Sequence, residues 1–343
     1  MKLVNRQWLL KERPPGTLTE EHFQLVENPI SGSDLSSDQF LVKTLTLGFD
    51  PAMRGWVKDR RSYMPPVKLG DPMRGSGVGQ VIESNHSGFS VGSLVQGLTN
   101  WQEYLVADES TGLSLVPSGV APELALGVLG TTGLTAYFGL LDIGEPIEGD
   151  VILVSGAAGA TGSVAVQIAK IKGCRVIGIA GGKEKCDWLV SECGADAAID
   201  YKSESLNEAL STHCPDGVNV FFDNVGGDTL EAGISHMAEN GRIVMCGGIS
   251  GYNDPDPKPG PSNLMTLIIR RIKMQGFIVL DYLDHAPDAI AQLSAWLESG
   301  DIVSRVDMQW GFENAPSTLE RLFDGRNLGK QLLTVAEAEL PIP

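Results

Sequence analysis

At 343 residues the chain is long enough for two domains with well-buried cores, and its composition, 42% hydrophobic and 20% charged, is that of an ordinary globular protein. The formal charge of −17, from 43 acids against 26 bases, argues against a nucleic-acid or anionic-membrane surface over most of the molecule, so an anionic ligand needs a local basic pocket. The five cysteines, Cys174, Cys186, Cys193, Cys214 and Cys246, are odd in number and include no C-x-x-C pair, which speaks against a disulfide framework or a zinc knuckle.

The opening segment, MKLVNRQWLLKERPPG, has no apolar core of signal-peptide length, and no later apolar run reaches transmembrane length. A cytoplasmic location is the expectation. Residues 1–125 carry short β-rich runs, Phe40 to Leu47, Gly77 to Glu83 and Ser93 to Gln96, punctuated by Gly, Pro and Asp, which predict a compact β-rich domain. From Val151 onward apolar strands alternate with helical segments, the pattern of a parallel sheet covered on both faces. Val151 to Val154, Cys174 to Ala180, Ala197 to Ile199, Val218 to Phe222, Arg242 to Cys246 and Met274 to Val279 are the expected strands, and Ala286 to Ser299 is one of the helices between or after them. Six such strands fit a doubly wound α/β sheet in the order 3-2-1-4-5-6, with ligands at the carboxyl ends of the strands. After Asp301 short runs return, Gln331 to Val335 among them, and the tail is expected to pack back on the first domain.

The first strand of this series runs into GAAGATGSV, with Gly156, Gly159 and Gly162 at spacing three where a strand gives way to a helix. Unpaired N–H groups and the positive end of the helix dipole make such a turn an anion site, and a second strand ending shortly afterwards completes the context of a dinucleotide fold. An NAD site would place an acid at the end of that second strand. Here the chain reads Ala180-Gly181-Gly182-Lys183-Glu184-Lys185, and two lysines with no acid suit a 2′-phosphate, which implies NADP(H). No cysteine precedes Cys174, and the five histidines, His22, His86, His213, His236 and His285, lack ligand spacing, so no metal is expected. No G-x-S-x-G elbow is present either. With NADPH and no metal, the accessible chemistry is hydride transfer to an acceptor activated by conjugation, its developing charge held by hydrogen-bond donors.

The stretches NRQWLL, DPAMRG, LTAYFGLLDIG, AAGATGSV, QIAKIKGCRVIGIAGGKEK, FDNVGG, CGGISGYN, RRIKMQGFIV, GFENAP and NLGK, in this order, resemble the zinc-free medium-chain dehydrogenases/reductases. The branch resembled is that of leukotriene B4 12-hydroxydehydrogenase/prostaglandin reductases and plant double-bond reductases. The resemblance implies a GroES-like β-rich substrate domain over residues 1–125 and 302–343, a Rossmann NADP-binding domain over residues 126–301, and reduction of the carbon–carbon double bond of α,β-unsaturated aldehydes or ketones. By family position, Gly159, Ala160, Thr161 and Gly162 meet the pyrophosphate, and Lys185 and Tyr201 the 2′-phosphate. Asn224, Cys246, Gly247, Gly248, Ile249, Ser250, Tyr252, Phe277, Ile278, Val279 and Asn327 complete the cofactor site. Tyr252 is the implied catalytic donor to the substrate carbonyl; the proton for the α carbon comes from a tyrosine or from water.

The implied substrate pocket takes in Ala52, Met53, Arg54, Tyr63, Trp101 and Thr131. Ala52 stands where the family commonly has the tyrosine of DPYMRG, and Gly130-Thr131-Thr132-Gly133 replaces GMPG, so the pocket is expected to be wider and to gain hydroxyls. Sequence alone places Tyr63 and Trp101 equally well in the pocket wall, the β-domain core or the surface. The partners implied are a small enone or enal, no nucleic acid, no membrane and a second copy in a homodimer joined through RRIKMQGFIV. A quinone oxidoreductase on the same fold and a non-catalytic NADPH-binding protein are the competing readings.

Overall fold

A computed structural model describes residues 2–31, 35–256 and 258–342. The chain opens with a two-stranded antiparallel ribbon, β1 (Lys2–Leu10) against β2 (Phe23–Ser31). There follow β3 (Phe40–Gly48), the single helical turn α1 (Met53–Trp56), β4 (Gly77–Ser84), β5 (Leu94–Gly97), β6 (Tyr104–Ala107), β7 (Ser114–Leu115) and the short α2 (Pro122–Leu126). Short strands broken by Gly and Pro turns give this half its antiparallel pairing: β3 pairs with β4 and β6, and β4 with β5.

The second series begins with α3 (Thr131–Phe138) and then alternates β8 (Val151–Ser155), α4 (Ala160–Ile171), β9 (Arg175–Ala180), α5 (Lys183–Ser191), β10 (Ala197–Asp200), α6 (Leu206–His213), β11 (Val218–Asp223), α7 (Gly227–Ser235) and β12 (Met237–Met245). After α8 (Met265–Ile269) come β13 (Lys273–Gly276) and α9 (Ala286–Ser299). The six strands form one parallel sheet in the order β10-β9-β8-β11-β12-β13, which is the 3-2-1-4-5-6 order expected of a doubly wound fold. Its central strands are apolar on both faces, with Ile152, Leu153, Val154, Val220, Phe221 and Phe222 wholly buried, because helices cover both sides.

Two strands depart from expectation. β12 starts at Met237, five residues before the expected Arg242, and its register against β11 shifts between Val218 and Val220. β13 stops at Gly276 rather than Val279, because the chain turns into a 3-10 helix at Val279–His285 and the Ile278 carbonyl accepts from Asp281 N–H at 3.0 Å.

The chain then returns to the first sheet with β14 (Val306–Trp310), α10 (Ala315–Phe323) and β15 (Lys330–Thr334). β15 pairs antiparallel with β3, completing a seven-stranded sheet ordered β14-β15-β3-β4-β5-β7 with β6 on β3. By contacts there are two compact units, Met1–Leu126 with Val306–Pro343, and Gly127–Arg305. No helix among the described residues is long and apolar enough to cross a membrane.

Candidate active site

The glycine turn follows β8 as a close-packed bend. A Cβ built on Gly162 would lie 2.3 Å from the Gly156 carbonyl oxygen and 2.8 Å from Ala157 Cα, so only glycine permits the first turn of α4 to sit on this bend. The helix opens at Gly159 with no side-chain cap, leaving backbone donors and the positive helix end to whatever lies beyond. An anion such as a pyrophosphate fits that donor set.

The bend after β9 is held from the neighbouring strand. Asp200, at the end of β10, accepts from Gly182 N–H at 2.7 Å, Lys202 N–H at 3.1 Å and Ser203 Oγ at 2.9 Å. These bonds, the Gly182 one first, hold its carboxyl below the usual carboxylate range. Tyr201 and Lys202 lean over Gly181, where a Cβ would come within 2.8 Å of the tyrosine ring and 2.9 Å of Lys202 Cε. Lys185 is half-buried in the first turn of α5, a helix that also opens on a glycine without a side-chain cap. Lys183 stands apart: its ammonium closes an i, i+4 pair with Asp187 at 2.6 Å on the solvated face. Lys185 and Tyr201 thus occupy a bend suited to a second phosphate. Lys202 is a further cation there that sequence reasoning missed, although it directly follows Tyr201.

The third bend joins the ends of β11 and β12. The Asp223 carbonyl accepts from Cys246 N–H at 2.9 Å and Gly247 N–H at 3.1 Å. The Asn224 carbonyl accepts from Ile249 N–H at 3.3 Å, and the Val225 carbonyl from Ser250 N–H at 3.1 Å and Ser250 Oγ at 2.7 Å. Asn224, Cys246 to Ser250 and Tyr252 are therefore assembled into one bonded loop pair. The Tyr252 hydroxyl accepts from Gly248 N–H at 3.1 Å. An accepted N–H bond stabilises negative charge on the phenol oxygen and makes its O–H the stronger donor.

Other expected residues fall elsewhere. Phe277, Ile278 and Val279 are half-buried just past the end of β13, with Phe277 edge-on to Tyr282 at 6.3 Å between ring centroids. Thr131 is exposed at the first position of α3, where its carbonyl accepts from Thr135 Oγ1 at 2.7 Å. Asn327 belongs to the β-rich unit, where Nδ2 donates to the Gly329 carbonyl at 3.1 Å.

Three of the residues implied for the substrate pocket, Trp101, Met53 and Arg54, are buried in the β-rich unit. Trp101 has 0% exposure and is wedged between Phe23 and Phe49, at 5.1 and 5.4 Å between centroids. Met53 belongs to the same apolar cluster. Arg54 is wholly buried because α1 turns it inward, where its guanidinium donates to the Gly16 carbonyl at 2.6 Å and the Pro14 carbonyl at 3.2 Å, tying down residues 14–16. Tyr63 is 47% exposed and accepts from Trp56 Nε1 at 2.8 Å, and Ala52, at the start of α1, is half-buried.

Among the described residues no group of three or more His, Cys, Asp or Glu side chains could hold a metal ion. Burial pushes the thiols of Cys174, Cys186 and Cys214 up to about 11 and those of Cys193 and Cys246 up to about 12, which keeps all five neutral.

Two family models match the chain: the N-terminal domain of oxidoreductase over residues 6–115 and the zinc-binding dehydrogenase over residues 160–299. The chain is 39% identical to the NADPH-dependent curcumin reductase of Escherichia coli, with 98% of each chain covered. It is 38% identical to the NADP(+)-dependent 2-alkenal reductase of Nicotiana tabacum, again over 98% of each. CurA from Vibrio vulnificus, solved in complex with NADPH, superimposes with a TM-score of 0.91 at 41% identity, covering 97% of this chain and 99% of that one. Identity at this level along the whole length, on a chain with no metal-ligand cluster among its described residues, means that the protein belongs to the zinc-independent, NADPH-dependent medium-chain reductases.

Proposed function

We propose that this protein reduces the carbon–carbon double bond of α,β-unsaturated aldehydes and ketones with NADPH. The observation that carries the reading is end-to-end identity with NADP-dependent reductases of curcumin and 2-alkenals, in a chain whose own bends suit the cofactor's phosphates. In this reading Gly159, Ala160, Thr161 and Gly162 hold the pyrophosphate and Lys185 and Tyr201 the 2′-phosphate. Asn224, Cys246 to Ser250 and Phe277 to Val279 surround the remainder. The chemistry supplied by the cofactor when bound is hydride donation to the β carbon of the acceptor. Tyr252 donates its O–H to the substrate carbonyl, and that bond strengthens as the oxygen becomes an enolate, so it stabilises the transition state more than the ground state.

The assay is consumption of NADPH and of NADH with trans-2-alkenals, a diarylheptanoid enone and a simple quinone, with products identified by mass spectrometry. Saturated carbonyl products with a strong preference for NADPH are expected; turnover of the quinone alone would overturn the reading.

We further infer a homodimer joined through β13. This is the edge strand of its sheet, and beside it α8 exposes Met265, Ile268 and Ile269, with Ile268 at 69% exposure. A second copy would cover both the strand edge and the apolar side chains. Sedimentation equilibrium is expected to return twice the chain mass, and a single-chain mass would exclude the dimer.

A further inference from the structure

Two buried polar side chains lie beneath the bends described above and touch no expected ligand: Ser155, the last residue of β8, and Asp223, the last residue of β11. Both have 0% exposure. Ser155 Oγ donates to Asp223 Oδ1 at 2.6 Å and accepts from Asn224 N–H at 2.9 Å. The other donors to the carboxylate are backbone groups, Val225 N–H to Oδ1 and Gly226 N–H to Oδ2, each at 3.0 Å. The Ser155 carbonyl takes Asn224 Nδ2 at 2.7 Å. That last bond sets the carboxamide, because a carbonyl accepts only from the NH2 side, so Oδ1 of Asn224 is turned away from the Ser155 carbonyl as an acceptor.

The consequence extends in two directions. Ser155 immediately precedes the pyrophosphate bend that begins at Gly156, whereas Asp223, Asn224 and Val225 carry the carbonyls on which Cys246 to Ser250 hang. One buried pair therefore links the bend after β8 to the loop that carries Tyr252.

We propose that Ser155 and Asp223 are positioning residues for hydride transfer: together they orient Asn224 and hold the Tyr252 loop in register with the pyrophosphate bend. The proposal rests on the NADPH-dependent reductase reading. A buried carboxylate is costly without donors, and burial pushes the Asp223 carboxyl up against the lowering effect of its three bonds, so loss of any one donor disturbs the whole group. Hydrogen bonds hold the loop, and misplacement of reacting groups by about 1 Å costs on the order of a hundredfold in rate.

The test compares wild type with Ser155→Ala, Ser155→Thr and Asp223→Asn. Its readouts are NADPH dissociation constants from nicotinamide fluorescence, the circular dichroism of the bound nicotinamide, kcat and KM for an enone, and the primary isotope effect with 4-deuterated NADPH. Ser155→Ala is expected to lower kcat on the order of tenfold or more, to alter the nicotinamide dichroism and to raise the isotope effect as hydride transfer becomes rate-limiting. KM for the enone should change little. Ser155→Thr, which keeps the hydroxyl, is expected to restore most of kcat, and Asp223→Asn, which puts an NH2 where a carboxylate oxygen accepts from a donor, to behave as Ser155→Ala. A purely structural role would lower the melting temperature while leaving the isotope effect and dichroism at their wild-type values, and that result would overturn the proposal. If wild type itself neither binds NADPH nor reduces the enone, the functional reading fails, and the positioning role with it; normal wild-type behaviour with unaffected variants refutes the positioning role alone.

Discussion

Gly162→Ala is expected to weaken NADPH binding on the order of ten- to a hundredfold, the binding equivalent of about 1–3 kcal/mol of overpacking strain. The added methyl would stand 2.3 Å from the Gly156 carbonyl oxygen and 2.9 Å from its carbon, both backbone atoms that no rotamer change can move aside. Relief requires α4 to shift away from the bend, which spreads the N–H groups that an anion would bridge. Titration of NADPH by fluorescence, with far-UV dichroism to show that the variant is folded, checks the result. An unchanged dissociation constant would mean that the pyrophosphate is held elsewhere.

The second large effect is expected at the hydroxyl. Tyr252→Phe should lower kcat for an enone on the order of a hundredfold, the loss typical of removing one donor from a developing oxyanion. NADPH affinity should stay close to wild type, because Phe keeps the ring and loses only the hydroxyl, which accepts from Gly248 N–H at 3.1 Å. Steady-state kinetics beside the binding measurement separate the two. A variant with wild-type kcat would show that the carbonyl is held by other donors and that the tyrosine only packs in the loop.

These two residues differ in how visible they are before folding. The glycine spacing and the alternation of apolar runs with helical periodicity are local properties of the chain, and the usual strand order of a doubly wound sheet is inferred from that alternation. Each strand that must be buried on both faces announces itself by composition, and a glycine turn between strand and helix has few other uses. That logic reached the six parallel strands and the glycine bend before α4 from sequence alone. The role of Tyr252 came from resemblance, since nothing in the spacing of CGGISGYN singles out its hydroxyl; the loop geometry supplies the bond to Gly248 that makes the role chemically sensible.

What the sequence by itself determined, then, is the doubly wound half of the molecule, its glycine bend and the want of metal-ligand spacing. Only the tertiary structure decided which polar side chains are buried and with whom. Ser155 and Asp223 are 68 residues apart, and each taken alone is an unremarked polar residue at a strand end; their contact exists because β8 and β11 are neighbours in the sheet. Asp200 reaches the bend after β9 only because β10 lies beside that strand. Arg54 and Trp101 came into consideration by resemblance, and their burial depends on partners at residues 14–16 and on Phe23 and Phe49. Periodicity along a chain encodes which face is apolar; it does not encode which distant backbone carbonyl or ring will close over a given side chain.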